Sequence, residues 1–267
     1  IIPLLTFLCG ISSIFIPYVI GVSNGHVPSV IPFISDCGAL APENCIFTQL
    51  LNMTALLLII SIYLRHRQIV EYYGNRLRRP DLWWRKISFG LLIIGFIAAF
   101  FITATAAFPI TENVKVHIVC AMASFLLVTV YIWGQVILSF SVSPRMSGPF
   151  LNWIRLLLAL IGTGTLVLYI VACYTNTFLP DGYSIPPLPI PYTPEFIGAD
   201  SPYWLRHTVA AGAEWAMVIS NFVFVLTMSF DLRHTYVRPP KVFFKKTHLR
   251  RPRSAYEHAL NDDTHID

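Results

Sequence analysis

The sequence predicts an all-α integral membrane protein, a bundle of six transmembrane helices with both termini in the cytoplasm. Three observations carry this. Six apolar runs, at 1–22, 46–64, 87–108, 116–140, 153–174 and 204–230, each hold roughly 19 to 27 residues, and about 20 suffice to cross the hydrocarbon core. The composition is 55% hydrophobic and 12% charged, where soluble domains carry about 25% charged residues. The positive charge also alternates between the two sides. Arg65, Arg67, Arg76, Arg78, Arg79, Arg85, Lys86, Arg145, Arg155, Arg233, Arg238, Lys241, Lys245, Lys246, Arg250, Arg251 and Arg253 accompany the segments after runs two, four and six. Only Lys115 and Arg206 fall on the other side, and basic loops stay in the cytoplasm.

Span one, 1–22, has no basic region ahead of it and no A-x-A-like site before Ser23, and it is longer than a signal-peptide core. It reads as a membrane span. The chain opens on Ile1 rather than Met, so a preceding segment is expected. Pro3 and Pro17 are candidate bend points. The loop that follows mixes apolar and turn residues with Asp36 and Glu43, and carries Cys37 and Cys45. The predicted topology places it in an oxidising compartment, which favours a Cys37–Cys45 disulfide over two free thiols. A metal site has less support, because only His26 adds a ligand nearby. Cys9, Cys120 and Cys173 lie within spans and read as small packing residues.

Span two contains the only N-x-S/T sequon, Asn52-Met53-Thr54. At membrane depth Asn52 reads as an interhelical hydrogen-bonding group rather than a glycosylation site. Span three stops at Pro109, which cannot continue the helical ladder. Span four opens beside His117. The loop after span five, 175–203, holds Pro180, Pro186, Pro187, Pro189, Pro191, Pro194 and Pro202 and no Lys or Arg. Such a segment is extended rather than helical, either a semi-rigid cover or a mobile flap.

Span six carries the strongest polar signal. His207, Glu214, Asn221 and Met228 recur every seven residues and so share one face. Glu214 falls near the midplane, where a charge costs several kcal/mol. The first reading is a hydrogen-bonded carboxyl that locks span six to its neighbours through Asn52, Thr54 or Ser124. The second is a proton or headgroup site. His117, His207, Asp36 and Glu43 are further candidates that would converge at the outer mouth.

Residues 231–267 form a tail that begins basic and ends acidic and is expected to be disordered. Lys241, Lys245, Lys246, Arg250 and Arg251, interleaved with aromatics, are candidate contacts for anionic phospholipids or phosphoinositides. Retention of the tail inside the cell is the simpler reading of those charges. The net charge of +5 is a topogenic consequence and not a nucleic-acid signal. No Walker A motif, nucleophile elbow, dinucleotide fingerprint or H-E-x-x-H spacing occurs, so no catalytic residue, metal or cofactor is assigned.

Pro32-Phe33-Ile34-Ser35-Asp36-Cys37-Gly38, Pro42-Glu43, Ile46-Phe47 and Asn52 resemble the signature of the damage-regulated autophagy modulator (DRAM) family. His117 at the opening of span four, Trp153-Ile154-Arg155-Leu156-Leu157 and Ala213-Glu214-Trp215 extend that resemblance along nearly the whole chain. The paired cysteines are more similar to the relatives named transmembrane protein 150, while Ala107-Phe108-Pro109, the Pro-rich loop and the basic tail depart from both. The resemblance implies a multi-pass protein of lysosomes, other endomembranes or the plasma membrane. It implies a non-enzymatic regulator of autophagy or membrane traffic with cytosolic regulatory partners. The alternatives are a plasma-membrane scaffold for phosphatidylinositol 4-kinase, and a lipid-modifying enzyme or proton-coupled transporter centred on Glu214. The oligomeric state is left open.

Overall fold

The computed structural model describes residues 1–233, 235 and 236. Residues 1–235 form one compact unit and 236–267 a second, of which Tyr236 alone is described. The tail residues Lys241, Lys245, Lys246, Arg250 and Arg251 therefore lie outside the described residues.

Seven α-helices make up the first unit: α1 (Ile2–Ser23), α2 (Ile34–Cys37), α3 (Glu43–Ile69), α4 (Trp83–Ala107), α5 (Val114–Ser141), α6 (Pro149–Tyr174) and α7 (Trp204–Leu232). A π-helical stretch, Val70–Arg76, prolongs α3. Six of the seven are long and apolar enough to cross a membrane, and no strand occurs among the described residues. The protein is an all-helical integral membrane protein.

The helices close a ring in the order α1, α3, α4, α5, α6, α7, with α7 returning to α1. The short α2 packs on α1, α3 and α7 at one end of the ring. That end carries Asp36, Glu43, Glu112, Asp181, Glu195 and Asp200 and is called the acidic end below. The opposite, basic end carries Arg76, Arg78, Arg79 and Arg145.

Local chemistry sets the helix boundaries. Asn113 caps α5 by accepting the amide of Val116 at 3.2 Å, which satisfies one of the orphan donors of a first turn. Pro149 starts α6, where its missing amide and fixed φ are harmless. Pro109 follows the end of α4. Close approach matters between α4 and α5, where a methyl group on Gly134 would overlap Leu91.

The largest core cluster joins α3, α4, α5, α6 and α7 through Ile62, Trp84, Leu91, Tyr131, Ala159 and Phe224. Ile14, Ile34 and Phe47 form a second cluster under α2, and Ala39, Ile110 and Tyr192 a third at the acidic end. The outer face is apolar as well: Phe100 and Val119 are each 65% exposed. In water such a surface would be a liability, whereas in lipid it is the solvated face.

Several helices run beyond the expected runs, as α4 does in beginning at Trp83 where span three was expected from 87. Span two was expected at 46–64, yet helix continues through Arg65 to Ile69 and on to Arg76. Span five was expected from 153, yet α6 begins at Pro149. The tail was expected from 231, yet Asp231 lies within α7. For span two and the tail the physical reason is shared: Arg65 and Arg155 both pair with Asp231 inside the bundle, so charges read as span limits are buried parts of the spans.

Candidate functional site

At the acidic end, residues 24–42 fold back over the ring instead of standing away from it. Val27, Ile34, Cys37 and Ala39 are all buried. Two side chains of α7 hold this segment by its backbone. The Glu214 carboxylate accepts the amide of Ile34 at 2.8 Å through Oε2, and Trp215 Nε1 donates to the carbonyl of Pro32 at 2.8 Å. The partners expected for Glu214 were Asn52, Thr54 or Ser124; the structure replaces them with a main-chain amide 180 residues earlier in the sequence.

A third tether reaches in from the Pro-rich loop. The Tyr192 hydroxyl donates to Asp36 Oδ1 at 2.7 Å, with both residues buried. Burial pushes the Asp36 carboxyl up to about 7; the Tyr192 hydrogen bond opposes this, and the Glu195 charge reinforces it. Thr111 adds a bond from its hydroxyl to the carbonyl of Ala39 at 3.0 Å. The loop 175–203 is thus attached at Tyr192.

The other expected members of an outer mouth do not converge. Glu43 is buried and accepts Asn24 Nδ2 at 2.7 Å, with His26 Nδ1 3.0 Å away. His117 is buried with Nδ1 2.7 Å from the carbonyl of Phe108. His207 stacks edge-on against Phe33 at 4.9 Å between centroids. Each has its own partner, and no group of three or more His, Cys, Asp or Glu suited to a metal occurs among the described residues.

Two further expected bonds are not present among the described residues. Cys37 and Cys45 are free thiols in the structure, Cys37 buried and Cys45 exposed, so the expected disulfide is not formed. The reason is orientation: Cys37 lies on the inner side of α2, its Sγ 3.4 Å from the Phe33 carbonyl, while Cys45 lies on the exposed side of α3. Burial, together with the Asp36 and Glu214 charges, pushes the Cys37 thiol up. Among the described residues Asn52 makes no interhelical hydrogen bond, and its Oδ1 is buried without a partner.

Below α2 the ring encloses a partly open cavity of about 120 Å³. Ile34 and Ser35 of α2 line its end, and Leu51, Leu58, Phe125, Val128, Val218 and Val225 supply apolar wall. Glu214 and His117 also line it, as do Thr54, Ser124 and Asn221. The stripe of span six does face inward, with Glu214 and Met228 buried.

Residues 1–235 match the family described as the Frag1/DRAM/Sfk1/Cwh43P N-terminal domain. The chain belongs to this family. DNA damage-regulated autophagy modulator protein 2 of Bos taurus is 30% identical over 227 residues, covering 83% of this chain and 79% of the relative. The Homo sapiens protein of that name is 31% identical over 223 residues, with the same coverage. Modulator of macroautophagy TMEM150B of Xenopus tropicalis is 28% identical over 178 residues, 66% of this chain and 74% of the relative. No solved structure matches.

In this Frag1/DRAM-family chain, the motifs that carried the resemblance are in contact with one another. Pro32, Ile34 and Asp36 are the tethered residues of the segment over the cavity, while Glu214 and Trp215 are two of its holders. A further motif residue, Arg155, belongs to a second cluster at the basic end that sequence reading missed. Arg155 Nη2 and Arg65 Nη1 both bond Asp231 Oδ2, at 2.7 and 2.8 Å, and the Ser147 hydroxyl donates to both Asp231 oxygens. Arg155 also donates to the hydroxyl and carbonyl of Thr227, and Gln68 Nε2 donates to the Asp231 carbonyl. All three charged side chains are at most 5% exposed. The available signal was an arginine inside the apolar run at 153–174, which requires a counter-charge at membrane depth.

Proposed function

We propose that this protein is a non-enzymatic membrane regulator of autophagy, resident in lysosomes or other endomembranes, with its basic end and both termini in the cytosol. The observation that carries this reading is the similarity, over 83% of the chain, to proteins named autophagy modulators. The site supports a regulatory rather than a hydrolytic role. Glu214 accepts a main-chain amide, His117 lies against a carbonyl and Asp36 accepts a tyrosine hydroxyl, so each of these groups holds local structure at the site. These groups hold a plug over a cavity, which suits a bundle whose state is read by other molecules.

The orientation follows from the charge distribution, because basic loops remain on the cytoplasmic side. The test is a tagged full-length protein imaged in its own cells against lysosomal and plasma-membrane markers, fed and starved, together with autophagic flux after deletion of the gene. Endomembrane signal with altered flux is the expected result. Plasma-membrane signal with unchanged flux would overturn the proposal.

A further inference from the structure

The cavity below α2 has walls of apolar side chains and a small set of polar groups, most of which present acceptors, while Ser35 and Asn221 present donors as well. The hydroxyls of Thr54, Thr105 and Ser124 already donate to carbonyls of their own helices, those of Leu50, Phe101 and Ala121, at 2.8 Å each. Each therefore offers only an oxygen lone pair to the cavity. His117 Nδ1 is occupied by the Phe108 carbonyl, which leaves Nε2 as an acceptor. Glu214 is 5% exposed, and its Oε2 accepts the Ile34 amide. Its Oε1 has no hydrogen-bond partner among the described residues, and the residue lines the cavity. Asn221, one step along the same stripe, likewise makes no hydrogen bond among the described residues and lines the cavity.

The charge points the same way. Glu214 is a buried carboxyl with no basic partner, and Asp36, two residues beyond the amide that Glu214 holds, is buried with only a tyrosine as partner. A buried carboxyl is either held neutral or paired with a cation, and no Lys or Arg lines this cavity to supply one; a donor-rich cation is the complement that would pair it.

Size and location narrow it further. A cavity of about 120 Å³ is somewhat smaller than the engineered cavity of about 150 Å³ that holds one benzene. It has room for the first few methylenes of one alkyl chain, the rest of which would leave through its open side, and it is too small for a fused ring system or a pair of acyl chains. It lies within the membrane-crossing helices, where the supply of such chains is the bilayer itself.

We propose that this cavity binds a single-chain lipid amine, with the protonated amine donating to Glu214 Oε1 and the alkyl chain lying between Leu58, Val128 and Val225. An ammonium has three donors and no acceptor, which matches the unpaired Glu214 Oε1 and the hydroxyl lone pairs around it. Charge-assisted bonds of this kind are about twice as strong as neutral ones. The segment 32–37 closes over the headgroup, and Glu214 then contacts both the ligand and the amide of Ile34. The occupied site would thereby stiffen the plug. This goes beyond the regulatory reading above and stands on the cavity alone.

The test uses the full chain in phosphatidylcholine nanodiscs with two photoreactive probes of equal length, a diazirine-bearing hexadecylamine and the corresponding alcohol. Crosslinked residues are mapped by mass spectrometry. The expected result is amine labelling on peptides containing Val128 and Val225, competed by excess unlabelled hexadecylamine. The alcohol should label those peptides at least tenfold less. Glu214→Gln keeps an acceptor for Ile34 and removes the charge, and should reduce amine labelling at least tenfold. Ala121→Leu fills the cavity from the α5 wall without touching the charge and should reduce it as well. Equal labelling by amine and alcohol on the unmodified protein would overturn the proposal without any variant. So would labelling confined to lipid-facing residues such as Phe100 and Val119.

Discussion

Replacing Asp231 by Asn leaves two guanidinium groups buried at the basic end with no counter-charge. Asp231 Oδ2 lies 2.8 Å from Arg65 Nη1 and 2.7 Å from Arg155 Nη2. At an effective dielectric of about 20, each attraction is about 6 kcal/mol, and repulsion between the two arginines returns part of that sum. Desolvation of three nearly buried charges offsets most of the remainder. The measured loss for breaking such a cluster is therefore expected at about 3–5 kcal/mol. Asparagine can still accept one bond from Ser147 or an arginine, which places the outcome toward the lower end. The assay is reversible unfolding of the purified protein in mixed micelles, followed by tryptophan fluorescence. Replacing all three charges together, Arg65→Met with Arg155→Met and Asp231→Leu, should restore most of the loss, because an apolar substitute has no desolvation cost. A loss below about 1 kcal/mol for Asp231→Asn would equal that of an exposed surface pair and would refute the buried-lock reasoning.

Three other outcomes follow from the acidic end. Because the folded carboxyl of Asp36 sits at about 7 against an ordinary 3.8, the native state holds more protons across that window. Stability should be highest on its acid side and fall as pH rises through it. Tyr192, Glu195, Glu214 and Cys37 face this carboxyl, and thermal unfolding of Asp36→Asn at pH 5 and 7.5 should show the difference shrink; an unchanged profile would assign it elsewhere. A membrane-impermeant thiol reagent should alkylate Cys45 and spare Cys37 in the folded protein, and peptide mapping in which neither reacts before reduction would contradict the free thiols. Gly38→Ala places a methyl 2.5 Å from the Phe47 ring, so unfolding measurements should show a loss of about 1–3 kcal/mol, as overpacking does.

Hydrophobic length and charge alternation made the six long helices legible, because both properties are set by the bilayer rather than by neighbouring side chains. The inward stripe of α7 was legible for a related reason: a period of seven residues is a property of one helix alone. What depended on contacts between distant segments was not legible. Glu214 was singled out correctly as a polar group at depth, but its partner is a main-chain amide, and an amide has no identity in a sequence. Asp231 was placed in the tail and Arg65 in a loop because each, taken singly, looks like a span limit. Their pairing across 166 residues turns them into core. The cysteine pairing was expected from the predicted topology of the loop, which carries no information on helix phase, and α2 turns Cys37 inward while α3 turns Cys45 outward.

The distribution of polar bonds along the bundle axis has a mechanical consequence. At the basic end α3, α6 and α7 are joined by a charged cluster, with Ser147 of the segment between α5 and α6 bound into it. At the acidic end α7 grips segment 32–37 by two main-chain bonds, and the loop 175–203 grips it by one side-chain bond. Between the two ends lies the cavity, where packing is incomplete and the lining hydroxyls are bonded within their own helices rather than across the ring. A rearrangement that keeps the basic cluster intact therefore meets least resistance at the plug, where three hydrogen bonds and the Phe47 contact hold a four-residue helix. Each of those bonds involves a residue facing the acidic side. A change of protonation at Asp36 or of occupancy at Glu214 acts on the plug directly, and α7, which carries both Glu214 and Asp231, links the plug to the basic end.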